Sequence, residues 1–202
     1  MLNLMKIIKK INGFGLIDLL VAIAITAFLT IALIKNFSST ISYDRVANVV
    51  ASDLRNAQSY AISSKKYQGP LDSTPVSRCG WGLHQDTSNS STYIIYAGPS
   101  AAANCSSRGY QDTSNSPTFK TAALDSRLEF ETSPRFKDIF YEPPDPKTYF
   151  NNSSNPPGAV EEIVIRKIGI TKAQCNAGNV ACIKICAYMS GRIEITKTGS
   201  CP

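Results

Sequence analysis

Lys9-Lys10-Ile11-Asn12-Gly13-Phe14-Gly15-Leu16-Ile17-Asp18-Leu19-Leu20-Val21-Ala22-Ile23-Ala24-Ile25 is the stretch on which the reading of this chain turns. From Phe14 to Ile34 run 21 residues whose only strongly polar member is Asp18. At 1.5 Å rise per residue that is roughly 31 Å of helix, close to the thickness of a bilayer's hydrocarbon core. A carboxylate in such a segment costs about 2.5–3.5 kcal/mol at the helix centre, so it needs a reason. Lys6, Lys9 and Lys10 precede the run, the charge bias that holds an N-terminus in the cytoplasm. A secretory signal peptide would use Ala22-Ile23-Ala24 as its cleavage site, yet the apolar run continues ten residues further. A plain membrane anchor leaves Asp18 unexplained, and a buried helix of a soluble protein leaves the lysines unexplained.

The stretch Gly13-Phe14-Gly15-Leu16-Ile17-Asp18-Leu19-Leu20 resembles the prepilin processing motif of type IV pilins and type II secretion pseudopilins. The resemblance implies cleavage between Gly13 and Phe14 by a prepilin peptidase and N-methylation of the new terminal residue, Phe14. It also makes Asp18 the assembly acid, usually a glutamate in that family, which would neutralise the methylated amine of Phe14. Its motif covers the first quarter of the chain. The partners it implies are other pilin or pseudopilin subunits, the peptidase, the filament assembly platform and the membrane.

Between Asn36 and Lys65 there is no proline or glycine, so the helix is expected to continue. Val46, Val50, Leu54, Ala57 and Ala61 recur at the three- and four-residue spacing of one helical face. Ala51 to Ile62 is also similar to the helix of H-type pseudopilins and FimT-like minor pilins. Four regions follow: a cleaved leader over 1–13, a transmembrane or filament-core helix over 14–34, its amphipathic continuation over 35–64, and an extracytoplasmic β-rich domain over 65–202.

From Tyr67 onward the texture is of short strands and turn-rich loops. Thr92–Ala97 is aromatic and β-branched, Leu128–Thr132 alternates, and Ile163–Ile165 reads as a buried strand. Lys184–Met189 and Arg192–Thr196 predict a hairpin on a two-residue turn, Ser190-Gly191. Ile139–Tyr141, followed by Pro143, Pro144 and Pro146, predicts an edge strand capped by prolines. The repeated Gln-Asp-Thr-Ser-Asn-Ser at 85–90 and 111–116, and the run 151–158, read as solvated loops. The expected class is α+β: one long N-terminal transmembrane-plus-amphipathic helix packed on an antiparallel sheet, the pilin-like arrangement.

Six cysteines, Cys79, Cys105, Cys175, Cys182, Cys186 and Cys201, all follow the apolar segment. On the exported side their even number favours disulfides. A zinc site is disfavoured because Cys182 and Cys186 lack CxxC spacing and the one histidine, His84, is remote. Cys79–Cys105 is expected as a separate pair. With Ser190-Gly191 as the turn, Cys182 faces Gly199 and Cys186 faces Ile195, which favours Cys182–Cys201. The resemblance to FimT-like proteins implies otherwise, since they tie a cysteine just before a Gly-Arg turn, here nearest Cys186, to a C-terminal one.

The formal net charge is +6, and removing the three leader lysines leaves +3, an ordinary surface. No nucleophile elbow, phosphate-binding glycine loop or His/Cys/acid constellation occurs, so the chain reads as no enzyme and calls for no cofactor. Binding DNA is the alternative function, for a membrane-anchored binding ectodomain. In DNA-binding FimT-like pilins a Gly-Arg-x-Arg turn carries the contact, and here Gly191-Arg192-Ile193-Glu194 puts an acid where the second arginine would sit. Glu194 repels phosphate, leaving Arg192, Lys184 and Lys197 as a thin patch. The expected role is structural: a minor pilin or pseudopilin held as a single-pass protein of the cytoplasmic membrane and then moved into an extracytoplasmic filament.

Overall fold

The computed structural model describes residues 15–70, 72–102, 105–111, 116–132, 136, 138–144, 147–153, 159–177, 181–197 and 199–201, with the side chains of 16, 32 and 34–42 excepted. The leader, Gly13 and Phe14 lie outside them, as do 112–115 of the second repeated loop and 154–158 of the asparagine-rich one. Helix α1 spans Leu16–Ile62, and the chain divides into two units, Met1–Thr40 and Ile41–Pro202.

No helix among the described residues is long and apolar enough to cross a membrane, which overturns both the transmembrane span over 14–34 and the single-pass placement. The α+β class, one long helix on one sheet, gives way to a structure that is mostly antiparallel sheet. Among the described residues nine strands form two sheets, and the second helix, α2, is only Lys172–Asn176.

The first sheet runs in the order β3 (Thr118–Ala123), β2 (Thr92–Ala97), β1 (Trp81–Gln85), β5 (Asp138–Glu142), β6 (Lys147–Phe150). The second runs β4 (Leu128–Phe130), β7 (Val160–Lys167), β8 (Cys182–Tyr188), β9 (Ile193–Thr196). The proline-flanked strand expected at an edge, β5, is internal, paired with β1 on one side and β6 on the other. Its prolines follow Glu142, where pairing has ended, so they remove no donor from the ladder.

Within the body, Ala47, Val50, Ala51, Leu54, Ala57 and Ala61 of α1 are fully buried. Four of these six are alanines, which lets the strands approach the helix axis closely. Against them pack Trp81, Leu83, Ile95, Ile139 and Phe150 of the first sheet and Phe130, Ile163, Ile165, Ile183, Ile185 and Ile193 of the second. One core therefore serves both sheets. On the far face of the first sheet a smaller cluster forms from Tyr96, Phe140 and Tyr149.

All six cysteines are cross-linked, as Cys79–Cys105, Cys175–Cys182 and Cys186–Cys201. The first is the expected separate pair. The register-based Cys182–Cys201 is not formed. The β8–β9 loop has three residues, Met189-Ser190-Gly191, with Tyr188 N–H donating to the Arg192 carbonyl at 2.9 Å. Cys186 consequently faces Glu194, one residue off the expected Ile195.

Candidate assembly surface

Asp18 stands in the first turn of α1, where a negative charge meets the positive end of the helix dipole. Its Oδ2 accepts from the Gly15 backbone N–H at 3.3 Å, and its own N–H donates to the Gly15 carbonyl at 2.9 Å. This reciprocal pairing, from the third helical position back to the residue that opens the helix, follows the logic of a capping box. The expected partner, the amine of Phe14, and the cleavage residue Gly13 lie outside the described residues.

Around and after it stand ten large apolar side chains, Ile17, Leu19, Leu20, Val21, Ile23, Ile25, Phe28, Leu29, Ile31 and Leu33, each 50–77% exposed. At 100° per residue they point to all sides of the helix, with no gap wider than about 60°. A helix apolar all round belongs at the centre of something, since a surface helix carries its apolar groups on one stripe. Covering these side chains would release on the order of 10–20 kcal/mol.

The polar groups of the segment are already satisfied from within. Thr26 Oγ1 donates to the Ala22 carbonyl at 2.9 Å, and Thr30 Oγ1 donates to the Thr26 carbonyl at 2.6 Å. Such hydroxyls enter an apolar environment with no donor left unmet. Sequence reading passed over both threonines. Their spacing of four, which matches the helical hydrogen-bond period, was the available signal.

The body's candidate cations are each met by a carboxylate. Arg192 lies 3.4 Å from Glu194 and stacks 4.0 Å over the Tyr188 ring. Lys197 bonds Asp44 at 2.7 Å, and Lys184 is buried against Glu162 at 2.6 Å. The three residues of the thin basic patch therefore carry their own counter-charges.

His84 Nδ1 lies 3.0 Å from Asp138 Oδ1, and its ring stacks on Tyr110 with centroids 4.5 Å apart. Asp138 also accepts from the Tyr110 backbone N–H at 3.0 Å, so the pair ties the 105–111 segment to the outer face of the first sheet. Among the described residues no group of His, Cys, Asp or Glu could hold a metal ion. Sequence reading missed a buried acid, Asp53 of α1. It accepts from the Tyr93 hydroxyl at 2.7 Å and from Lys120 Nζ at 2.8 and 2.9 Å. Burial, then this hydrogen bond, pushes the Tyr93 phenol well up. These contacts fasten β2 and β3 to the helix.

Compared with known protein families, curated proteins and solved structures, the chain finds no match.

Proposed function

We propose that this chain is a structural filament subunit of the type IV pilin or type II secretion pseudopilin class, assembling through the N-terminal part of α1. The observation that carries the reading is the apolar segment 17–33, exposed at every azimuth, with its polar groups bonded internally. A groove on one partner would cover a single face and leave the others in water. The occupant that surrounds such a helix is a set of like helices from neighbouring subunits, which bury one another on all sides. The motif around Gly13 and Phe14 supplies the second support, since processing there would start the mature chain four residues before Asp18.

In this reading Asp18 brings one negative charge into a helix bundle. A free α-amine at Phe14, in the same or an adjacent subunit, is the natural counter-charge, and their attraction is far stronger in an apolar core than in water. The prepilin peptidase that creates that amine and the platform that gathers subunits are the implied partners. Replacing Asp18 with alanine tests the role. The expected result is intact cleavage, seen as a mature mass beginning at N-methyl-Phe14, intact disulfides, and loss of the chain from sheared filaments. Asp18→Glu, which keeps the charge, should be retained in them. Normal incorporation of Asp18→Ala would remove the assembly role.

A further inference from the structure

Lys184 is buried at the middle of β8's outer face, its side chain 2% exposed. Its ammonium meets acceptors from three separate segments. These are Glu162 Oε1 of β7 at 2.6 Å, Asn176 Oδ1 at the end of α2 at 2.9 Å, and the Gly199 carbonyl of the C-terminal tail at 2.6 Å. Two residues away on either side, on the same face and about 6.6 Å along the strand, stand Cys182 and Cys186. Each is cross-linked to one of the segments the ammonium holds. Cys182 joins Cys175, the residue before Asn176, and Cys186 joins Cys201, two residues after Gly199.

β9 runs antiparallel to β8, and Thr196 lies opposite Lys184. A chain continuing in that direction passes Cys182 and carries Cys201 away from Cys186. It turns back instead. Gly199 has φ +78°, the left-handed region that a side chain disfavours, and its carbonyl lands on the Lys184 ammonium.

We propose that Lys184 directs the pairing of the four C-terminal cysteines. By gathering Asn176 and Gly199 onto one ammonium, it presents Cys175 to Cys182 and Cys201 to Cys186 before either bond closes. A buried cation is costly without acceptors, so the arrangement that supplies all three is strongly preferred. In the competing pairing, Cys182–Cys201 with Cys175–Cys186, both segments would have to trade places across Lys184 and release it. Lys184 is a positioning residue and exchanges no electrons. With glutathione disulfide as oxidant, one protein thiolate attacks it and expels a glutathione thiolate. The second protein thiolate then displaces the other glutathione, so two thiols are oxidised and one glutathione disulfide is reduced.

The test is oxidative refolding of the full reduced chain in a glutathione buffer, followed by alkylation and disulfide mapping of unreduced peptides. In the Lys184→Met variant the ratio of Cys186–Cys201 to Cys182–Cys201 should fall at least about tenfold, the scale of a lost charge-assisted hydrogen bond. Cys79–Cys105 should persist, which reports that the rest of the body still folds. Gly199→Val, which opposes the left-handed turn and leaves the lysine in place, should shift the ratio in the same direction. In concentrated guanidinium the parent and Lys184→Met should give equal ratios. An unchanged ratio in Lys184→Met overturns the proposal. So does scrambling that includes Cys79 and Cys105, or a difference that persists in denaturant.

Discussion

Glu161 is the residue whose charge state most directly links the body's stability to pH. It lies on β7 opposite Ala187, largely removed from water, with Glu162 beside it. Burial, reinforced by the Glu162 carboxylate, pushes its carboxyl from an ordinary 4.5 up to about 7. The folded chain therefore holds this proton more tightly than the unfolded chain. The stability it contributes is complete below about pH 4.5 and is lost as pH rises through about 7. After discounting for solvent screening, that amounts to about 1–2 kcal/mol. Denaturant titrations at pH 5 and pH 8 should show Glu161→Gln with a flatter profile than the parent and greater stability at the higher pH. Parallel profiles would show that Glu161 is not held in this way. At this scale legibility followed sequence distance. Asp18 stood out as a lone acid in an apolar run. Asp53 did not, because Tyr93 and Lys120, the groups that explain it, lie 40 and 67 residues away.

Among the elements, the β8–β9 hairpin carries a loop one residue longer than its sequence suggests. Both strands were readable from their alternation, but the two-residue turn expected at Ser190-Gly191 is a three-residue loop ending in Gly191 at φ +81°. Three-residue loops with a left-handed final residue are the next most common hairpin connection, and nothing in Met189-Ser190-Gly191 separates the two by composition. The slip moved Cys186 opposite Glu194, yet in that register a straight tail would still carry Cys201 nearer Cys182; the turn back at Gly199 is what brings Cys201 to Cys186. Gly191→Ala should lower stability by about 1–2 kcal/mol, the cost of placing a side-chain-bearing residue in the left-handed region. A Cβ there also meets the Gln58 amide nitrogen of α1, although that long side chain can swing aside. An unchanged denaturation midpoint would mean that the turn accommodates alanine by changing type. β4 and the buried face of α1 were readable because their apolar residues repeat at the element's own period, and β2 and β7 because aromatic and β-branched residues run together in them. β1 was not, because Gly82 breaks the β-forming run and the ring of Tyr96 occupies the space a side chain would take. β3 exposes most of its residues and so shows no alternation to read.

For the whole molecule, sequence anticipated a helix followed by strands but not the division of those strands into two sheets. That division depends on which strands pair, and pairing is decided by contacts far apart in the chain. β5 illustrates it: its prolines suggested an edge, and only its neighbours β1 and β6 place it inside. The membrane span read from 14–34 rested on apolar length, whereas no helix among the described residues is long and apolar enough to cross a bilayer. What remains is a disulfide-bonded body and a helical segment whose large apolar side chains are exposed. Filament assembly is the account that covers that segment. Its central claim is tested most directly by the fraction of the chain found in sheared filaments, for the parent and for Ile23→Glu. Ile23 is 60% exposed within the apolar run, makes no contribution to the body's core, and would carry an unpaired charge into the bundle. The account expects the parent in the filament fraction and the variant absent from it, with all three disulfides formed in both. Equal incorporation of Ile23→Glu, or a parent chain never recovered with filaments, would contradict it.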